Sequence, residues 1–234
     1  MRYIDFHTHI IPKMDDGAKT MEESLRMLLA AKASGADAVV LSPHFLNQES
    51  IFDFCRLRDQ KIADLKKEMA KTGDQFPTLL SGAEVFLGCA LSEIDDIHNL
   101  CIEGTNTILL ELPYPFWNKW HIQEVYHLIA RRNLTPVMAH IERYLKSPKD
   151  IKKLDHLISV GAKFQVNASS FLTFSGRRVI KALAQQGLIA AIGSDCHDER
   201  YRTADLSRPL HKMEKQFGDG FFQYVFNESH TLIK

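Results

Sequence analysis

The sequence has 234 residues, 45% hydrophobic and 25% charged, an ordinary globular composition with enough apolar material for a sizeable core. Its 29 basic residues balance 29 acidic ones, which argues against a broad basic face for nucleic-acid phosphates. No run approaches the roughly 18 apolar residues of a membrane span. The opening MRYIDFHTHI carries charge and histidine where a secretory signal would be apolar, and the four scattered cysteines form no C-x-x-C pair. A cytoplasmic setting without structural disulfides is the expectation.

In chain order, short apolar runs at 3–10, 38–42, 78–84, 107–112, 136–140, 163–167 and 189–195 read as strands separated by helical stretches. Thr20 and Glu23 form a T-x-x-E capping box that opens a helix with Leu25, Leu28 and Leu29 on one face, closed by Gly35. Ile62, Leu65 and Met69 mark a second helix that stops near Gly73. Leu154, Leu157 and Ile158 precede Gly161 in the same way, and Val179, Ile180 and Leu183 precede Gly187. With no repeat or linker, residues 1–234 are expected to form one α/β domain. A closed or nearly closed barrel is preferred to an open doubly wound sheet, because no glycine-rich phosphate loop follows the first strand.

Residues that ligate metals recur where these strands end. His7 and His9 lie one residue apart, so strand alternation turns both imidazoles, with Asp5 below them, to one side. His44 follows the second strand, Glu84 closes the third, Glu111 lies near the end of the fourth and His140 closes the fifth. Asp195 and His197 close the seventh, while the sixth ends in Asn167. The carboxyl-terminal rim of a parallel barrel is where active sites form, and scattered surface charge would not choose it each time. Asp15-Asp16-Gly17 is by itself a simple turn, yet either carboxylate can swing back over the rim. Imidazole and carboxylate without thiolate suit Mn, Fe or Zn, and nine donors imply two or three ions. Three divalent ions against four carboxylates leave a positive balance that suits a phosphate dianion. Arg143 and Arg202, beside the fifth and seventh strand ends, present planar forks for phosphate oxygens. Residues 114–120 bear four aromatics, which form a slot for a phenyl ring, packing over the barrel end or a subunit contact.

The ordered set HTH, DDG, SPH, a glutamate after strand three, LLELP, HIER and SDCH resembles the polymerase-and-histidinol-phosphatase (PHP) superfamily. Within it, the chain is similar to the manganese-dependent bacterial protein-tyrosine phosphatases of the CpsB/YwqE type, from residue 3 to about 230. The resemblance implies a distorted TIM-like (β/α)7 barrel holding three metals, manganese before iron or zinc. It also implies a phosphotyrosine protein as substrate, a bacterial tyrosine kinase of capsule or exopolysaccharide export. Carried over by position, the ligands are His7, His9, Asp16, His44, Glu84, Glu111, His140, Asp195 and His197, with Asp16 chosen over Asp15. Arg143 and Arg202 match the phosphate-binding pair. Ile141 stands where relatives often have proline, and Cys196 where a small residue is usual; neither departure removes a ligand.

The expected chemistry is direct phosphomonoester hydrolysis, with a metal-bound hydroxide attacking phosphorus in line. A histidinol-phosphate type of small-molecule phosphatase would share the donors. An amidohydrolase-like C–N hydrolase would place lysine where Glu111 stands, and a non-catalytic module has no use for so many crowded donors. Cys196 through Arg202 and Thr203 also fits C-x5-R-[ST], the signature of cysteine-dependent tyrosine phosphatases. That loop carries Asp198 and Glu199 and no glycine, and alternation turns Cys196 away from Asp195 and His197, so the match is rejected.

Overall fold

The computed structural model describes residues 2–47 and 50–234. Its strands are β1 (Tyr3–Thr8), β2 (Ala36–Leu41), β3 (His44–Phe45), β4 (Thr78–Ser81), β5 (Glu84–Phe86), β6 (Thr107–Glu111), β7 (Thr135–Met138), β8 (Lys163–Asn167) and β9 (Ala191–Gly193). All pair in parallel, in the order β3-β5-β6-β7-β8-β9-β1-β2-β4. The expected second strand, 38–42, ends at Ser42-Pro43 and the chain resumes pairing as β3, while the expected third, 78–84, is broken at Gly82-Ala83. Proline cannot donate to a ladder and glycine weakens one, so both breaks fall where the pairing is cheapest to lose. Across the seam Gly82 N–H donates to Leu41 O (2.9 Å) and Glu84 N–H to Pro43 O (3.0 Å). The two bent strands stay stitched, and the sheet curls into a distorted barrel.

The long helices are α1 (Met21–Ala33), α2 (Ile51–Thr72), α3 (Lys119–Arg132), α5 (Phe174–Gln185), α6 (Ser207–Phe217) and α7 (Asp219–Leu232), with the one-turn α4 (Asp155–Ser159) between α3 and α5. Thr20 caps α1 by accepting from Glu23 N–H (3.1 Å), while the Glu23 carboxylate reaches back to Lys19 N–H (2.7 Å), one residue earlier than the expected box. The buried face of α1 is Ser24, Met27, Leu28 and Ala31; Leu25 and Leu29 flank it, half-buried. Gly73 ends α2 in the left-handed conformation at φ 74°, as its position after the periodic run implied. In α4 Leu157 is buried but Ile158 faces outward, whereas Val179, Ile180 and Leu183 of α5 are all buried.

Two apolar clusters divide the interior. The large one joins the helices to the outward strand positions, such as Val39, Leu41, Ile108, Leu110 and Val166. The small one collects alternate positions on the same strands, Ala38, Val40, Leu109, Val137 and Ala191, together with Ile4 and Phe6. These line the barrel interior. Following the same two-residue period upward leads from Ala38 and Val40 to His44 and from Leu109 to Glu111. The barrel is therefore apolar in its lower half and polar at its carboxyl-terminal rim.

Candidate metal centre

β1 needs a device to deliver its histidines. Ile4 and Phe6 point inward, so plain alternation would send Thr8 inward next. Against β2 the register shifts between Asp5 and Thr8, three steps facing two, and this bulge reverses the alternation. Asp5 does not join His7 and His9, contrary to the sequence expectation. Its carboxylate accepts from Ser194 N–H (2.8 Å) and, at 3.4 Å, from His7 N–H, pinning the irregular backbone. Gly17 lets the following turn fold back: a β-carbon there would stand 2.1 Å from the His9 carbonyl oxygen. Gly193 gives way in the same manner to the His7 side chain, 2.7 Å from a notional β-carbon.

All nine expected donors meet in four overlapping groups: His9, Asp16, His44 and His197; His7, Glu84 and His140; His7, His9 and Asp195; and His44, Glu84 and Glu111. Within each group one donor atom from every residue lies within 4.8 Å of the others. The Nε2 atoms of His7 and His9 are 3.0 Å apart. Glu84 is central, with Oε2 3.0 Å from His7, 3.3 Å from His9 and 3.1 Å from His44, and with Oε1 2.9 Å from His140. Asp16 Oδ1 lies 3.2 Å from His197 and 3.5 Å from His44. His140 Nε2 is 3.6 Å from Glu111. His140 and Asp195 both adopt positive φ, 33° and 53°, a conformation that costs a non-glycine residue roughly 1–2 kcal/mol and that clusters at functional sites.

The DDG pair divides its work. Asp15, not Asp16, grips His9, its carboxylate 2.6 Å from Nδ1 while accepting from the N–H groups of His44 and Gly17. That leaves His9 Nε2 aimed at the centre, the usual arrangement of a carboxylate behind a metal-binding imidazole. Gln165 does the same for His7, its Oε1 accepting from Nδ1 (3.3 Å), and the same oxygen accepts from the backbone N–H of His140 (2.7 Å). Asn167 donates from Nδ2 to Asp195 (2.8 Å), and buried Glu142 accepts from Ser170 Oγ and, at 3.3 Å, from Asn167 N–H. Sequence reasoning missed Gln165 and Glu142 and left the Asp15 role open. Alternation along β8 is the signal that would have found Gln165, since it shares the inward face with Asn167.

The electrostatics are those of a crowded donor set. Burial alone would raise the Glu84 carboxyl, yet His7, His140 and His44 hold it far below the usual carboxylate range. Burial opposes charge on His9, but Asp15 and Glu84 lift it to about 10. Burial, aided by the negative charge of Glu84, raises Glu111. Burial lowers His140, and burial with neighbouring His9 and Arg202 takes His197 down to about 4. Glu84 Oε2, His44 Nδ1, His140 Nδ1 and His197 Nε2 are buried with no hydrogen-bond partner of proper geometry among the described residues. Orphaned polar atoms at one point are rare in native interiors, and oxygen and imidazole donors without thiolate fit divalent transition ions.

Arg143 and Arg202 each donate from Nη2 to the Asp195 carboxylate, to Oδ2 and Oδ1 respectively, and each is about 40% exposed. Cys196 is fully buried and burial drives its thiol far up, so it is no thiolate nucleophile. The alternation argument against it needs amending, because β9 ends at Gly193 and Asp195 leaves the extended conformation. Of the aromatic loop, Trp117 packs edge-on against Tyr144 at 5.5 Å, whereas Tyr114 and Phe116 are largely exposed.

A parallel barrel forms its active site at the carboxyl-terminal rim, where this nitrogen-and-oxygen crown lies. The phosphotriesterase homology protein from Escherichia coli has this fold, superposing with a TM-score of 0.63 over 100% of this chain and 99% of that one, at 11% identity. The chain belongs to the CpsB/CapC family of capsular polysaccharide synthesis, whose model matches residues 3–233. It is 28% identical over 237 residues to the tyrosine-protein phosphatase YwqE of Bacillus subtilis, covering 98% of this chain and 91% of that protein. To the tyrosine-protein phosphatase CpsB of Streptococcus agalactiae it is 24% identical over 240 residues, 98% of this chain and 97% of that protein. A crystal structure from work on YwqE of Bacillus subtilis and CpsB of Streptococcus pneumoniae, described as metal-dependent tyrosine phosphatases, superposes with a TM-score of 0.82 at 26% identity, covering 98% of this chain and 94% of that one.

Proposed function

We infer that this chain is a metal-dependent phosphomonoesterase acting on phosphotyrosyl proteins, and that residues 1–234 work as one domain. The observation that carries the reading is the convergence of nine imidazole and carboxylate donors with two arginines on one rim. Relatives matched over nearly their whole length carry the name tyrosine-protein phosphatase, which favours phosphotyrosine over a small phosphate ester.

His7, His9, Asp16, His44, Glu84, Glu111, His140, Asp195 and His197 would hold two or three divalent ions, manganese first, with iron or zinc as alternatives. Such ions, when bound, supply a water acidified towards neutrality and neutralise phosphate charge. Asp15 and Gln165 keep the His9 and His7 rings in the tautomer that presents Nε2 inwards. Arg143 and Arg202 take non-bridging phosphate oxygens and offset the charge that grows in the transition state. The phenolate leaves with little acid assistance because its conjugate acid has a pKa near ~10. A cytoplasmic tyrosine kinase of capsule or exopolysaccharide export is the partner this family membership favours. The free thiols of Cys55, Cys89, Cys101 and Cys196 are compatible with a reducing compartment.

Elemental analysis of the purified protein, combined with rates on a phosphotyrosyl peptide and on histidinol phosphate, tests the reading. Bound transition metal and a strong preference for the peptide are expected. Full activity after metal stripping, or a preference for histidinol phosphate, would refute it.

A further inference from the structure

Beside the donor crown lies a cavity of about 520 Å3 lined by Arg143, Asp195 and Arg202 together with the exposed Arg200 and Arg208. Four arginines face two aspartates, Asp195 and Asp205, in its lining. Neither Arg200 nor Arg208 has a carboxylate within 4.0 Å among the described residues, whereas Arg143 and Arg202 share Asp195. The acids of the same loop are engaged elsewhere. Asp198 accepts from the N–H groups of Arg200 and Tyr201 (both 2.6 Å) and, at 3.3 Å, of Arg202, so it ties the loop into a closed turn. Glu199 is gripped by the Arg26 fork at 2.6 and 2.8 Å. Asp205 accepts from Ser207 N–H (2.9 Å) just before α6. Leu206 and Pro209, both buried, supply apolar lining. The result is a half-enclosed basic chamber with two guanidinium groups unspent, opening directly onto the place where the substrate phosphate would sit.

We propose that this chamber is a second anion subsite, in which Arg200 and Arg208 take a negatively charged side chain of the same peptide that carries the phosphotyrosine. The inference rests on the phosphatase reading above and deepens it: the preferred substrate is a peptide with an anionic neighbour beside the phosphotyrosine. A carboxylate and a second phosphate share the chemistry that planar guanidinium forks recognise. Because both arginines stand off the reacting phosphate, their contribution falls on binding and not on the chemical step.

The test uses the metal-loaded full chain and four substrates: p-nitrophenyl phosphate, a phosphotyrosyl peptide with neutral flanks, the same peptide with glutamate flanks, and the same peptide with a second phosphotyrosine. The wild-type protein should show a KM about tenfold lower for the anionic peptides than for the neutral one, at equal kcat, with the advantage shrinking as salt rises. Whichever anionic peptide has the lower KM identifies carboxylate or phosphate as the natural neighbour. The double variant Arg200→Gln/Arg208→Gln should lose the advantage and leave turnover of p-nitrophenyl phosphate unchanged. Equal KM for neutral and anionic peptides on the wild-type protein would sink the subsite alone, and needs no variant to fold. So would a double variant that keeps the preference. A protein inactive on every aryl phosphate would overturn the phosphatase reading, and the subsite with it.

Discussion

The lower and upper halves of the barrel interior are built on the same strands with the same two-residue period, and they solve opposite problems. Below, Ile4, Phe6, Val40, Leu109 and Val137 fill space with apolar side chains that need nothing but contact. Above, the next inward positions are His44, Glu111, Gln165 and Asn167, and the backbone departs from regularity to bring in more: a bulge for His7 and His9, left-handed conformations for His140 and Asp195. The lower half is self-sufficient; the upper half leaves buried atoms without partners. One end of the barrel is optimised for stability, and the other keeps unsatisfied groups whose satisfaction must come from outside the chain.

The contrast can be broken most sharply at the top. Glu84→Gln or His140→Ala should lower turnover of a phosphotyrosyl peptide by on the order of a thousandfold or more, measured in kcat with protein that still folds by circular dichroism. Stripping ions with a chelator should abolish activity, and adding manganese back should restore it while raising Tm, because an ion that binds only the folded state stabilises it. Arg143→Ala and Arg202→Ala should each cost roughly 100-fold in kcat/KM, since each removes a donor to the charged transition state. Asp15→Asn, which touches an imidazole and not an ion, should weaken ion affinity by about 10–100-fold in a calorimetric titration.

At the bottom the sign of the experiment changes. Leu109→Ala should destabilise the fold by about 2–5 kcal/mol in urea unfolding and leave kcat of the folded fraction within a factor of about two. Cys196→Ser gives the smallest effect on catalysis: activity should persist nearly unchanged, because the thiol is buried and protonated. Loss of activity on this substitution, without loss of fold, would undo the division of labour drawn here.

Seven strands in their order, the helices closed by Gly35, Gly73, Gly161 and Gly187, and the candidate donors at the strand ends were legible in the sequence, because strand periodicity and residue chemistry are local properties, whereas Asp16 was singled out from Asp15 only by the family resemblance. The breaks in β2–β3 and β4–β5 were half legible, since Pro43 and Gly82 stand at them. The bulge in β1 was not, because register is a relation between two strands and leaves no mark in either alone.

Composition, alternation and the recurrence of histidine and carboxylate at strand ends determined the barrel class and which side chains gather at its rim. The tertiary structure alone decided how they gather. It split Asp15 from Asp16, turned Asp5 to the backbone, recruited Gln165 to orient the His7 ring and, among the described residues, left Arg200 and Arg208 without carboxylates in a chamber beside the crown. Such assignments depend on distances between atoms far apart in the chain, and only the packed fold sets those.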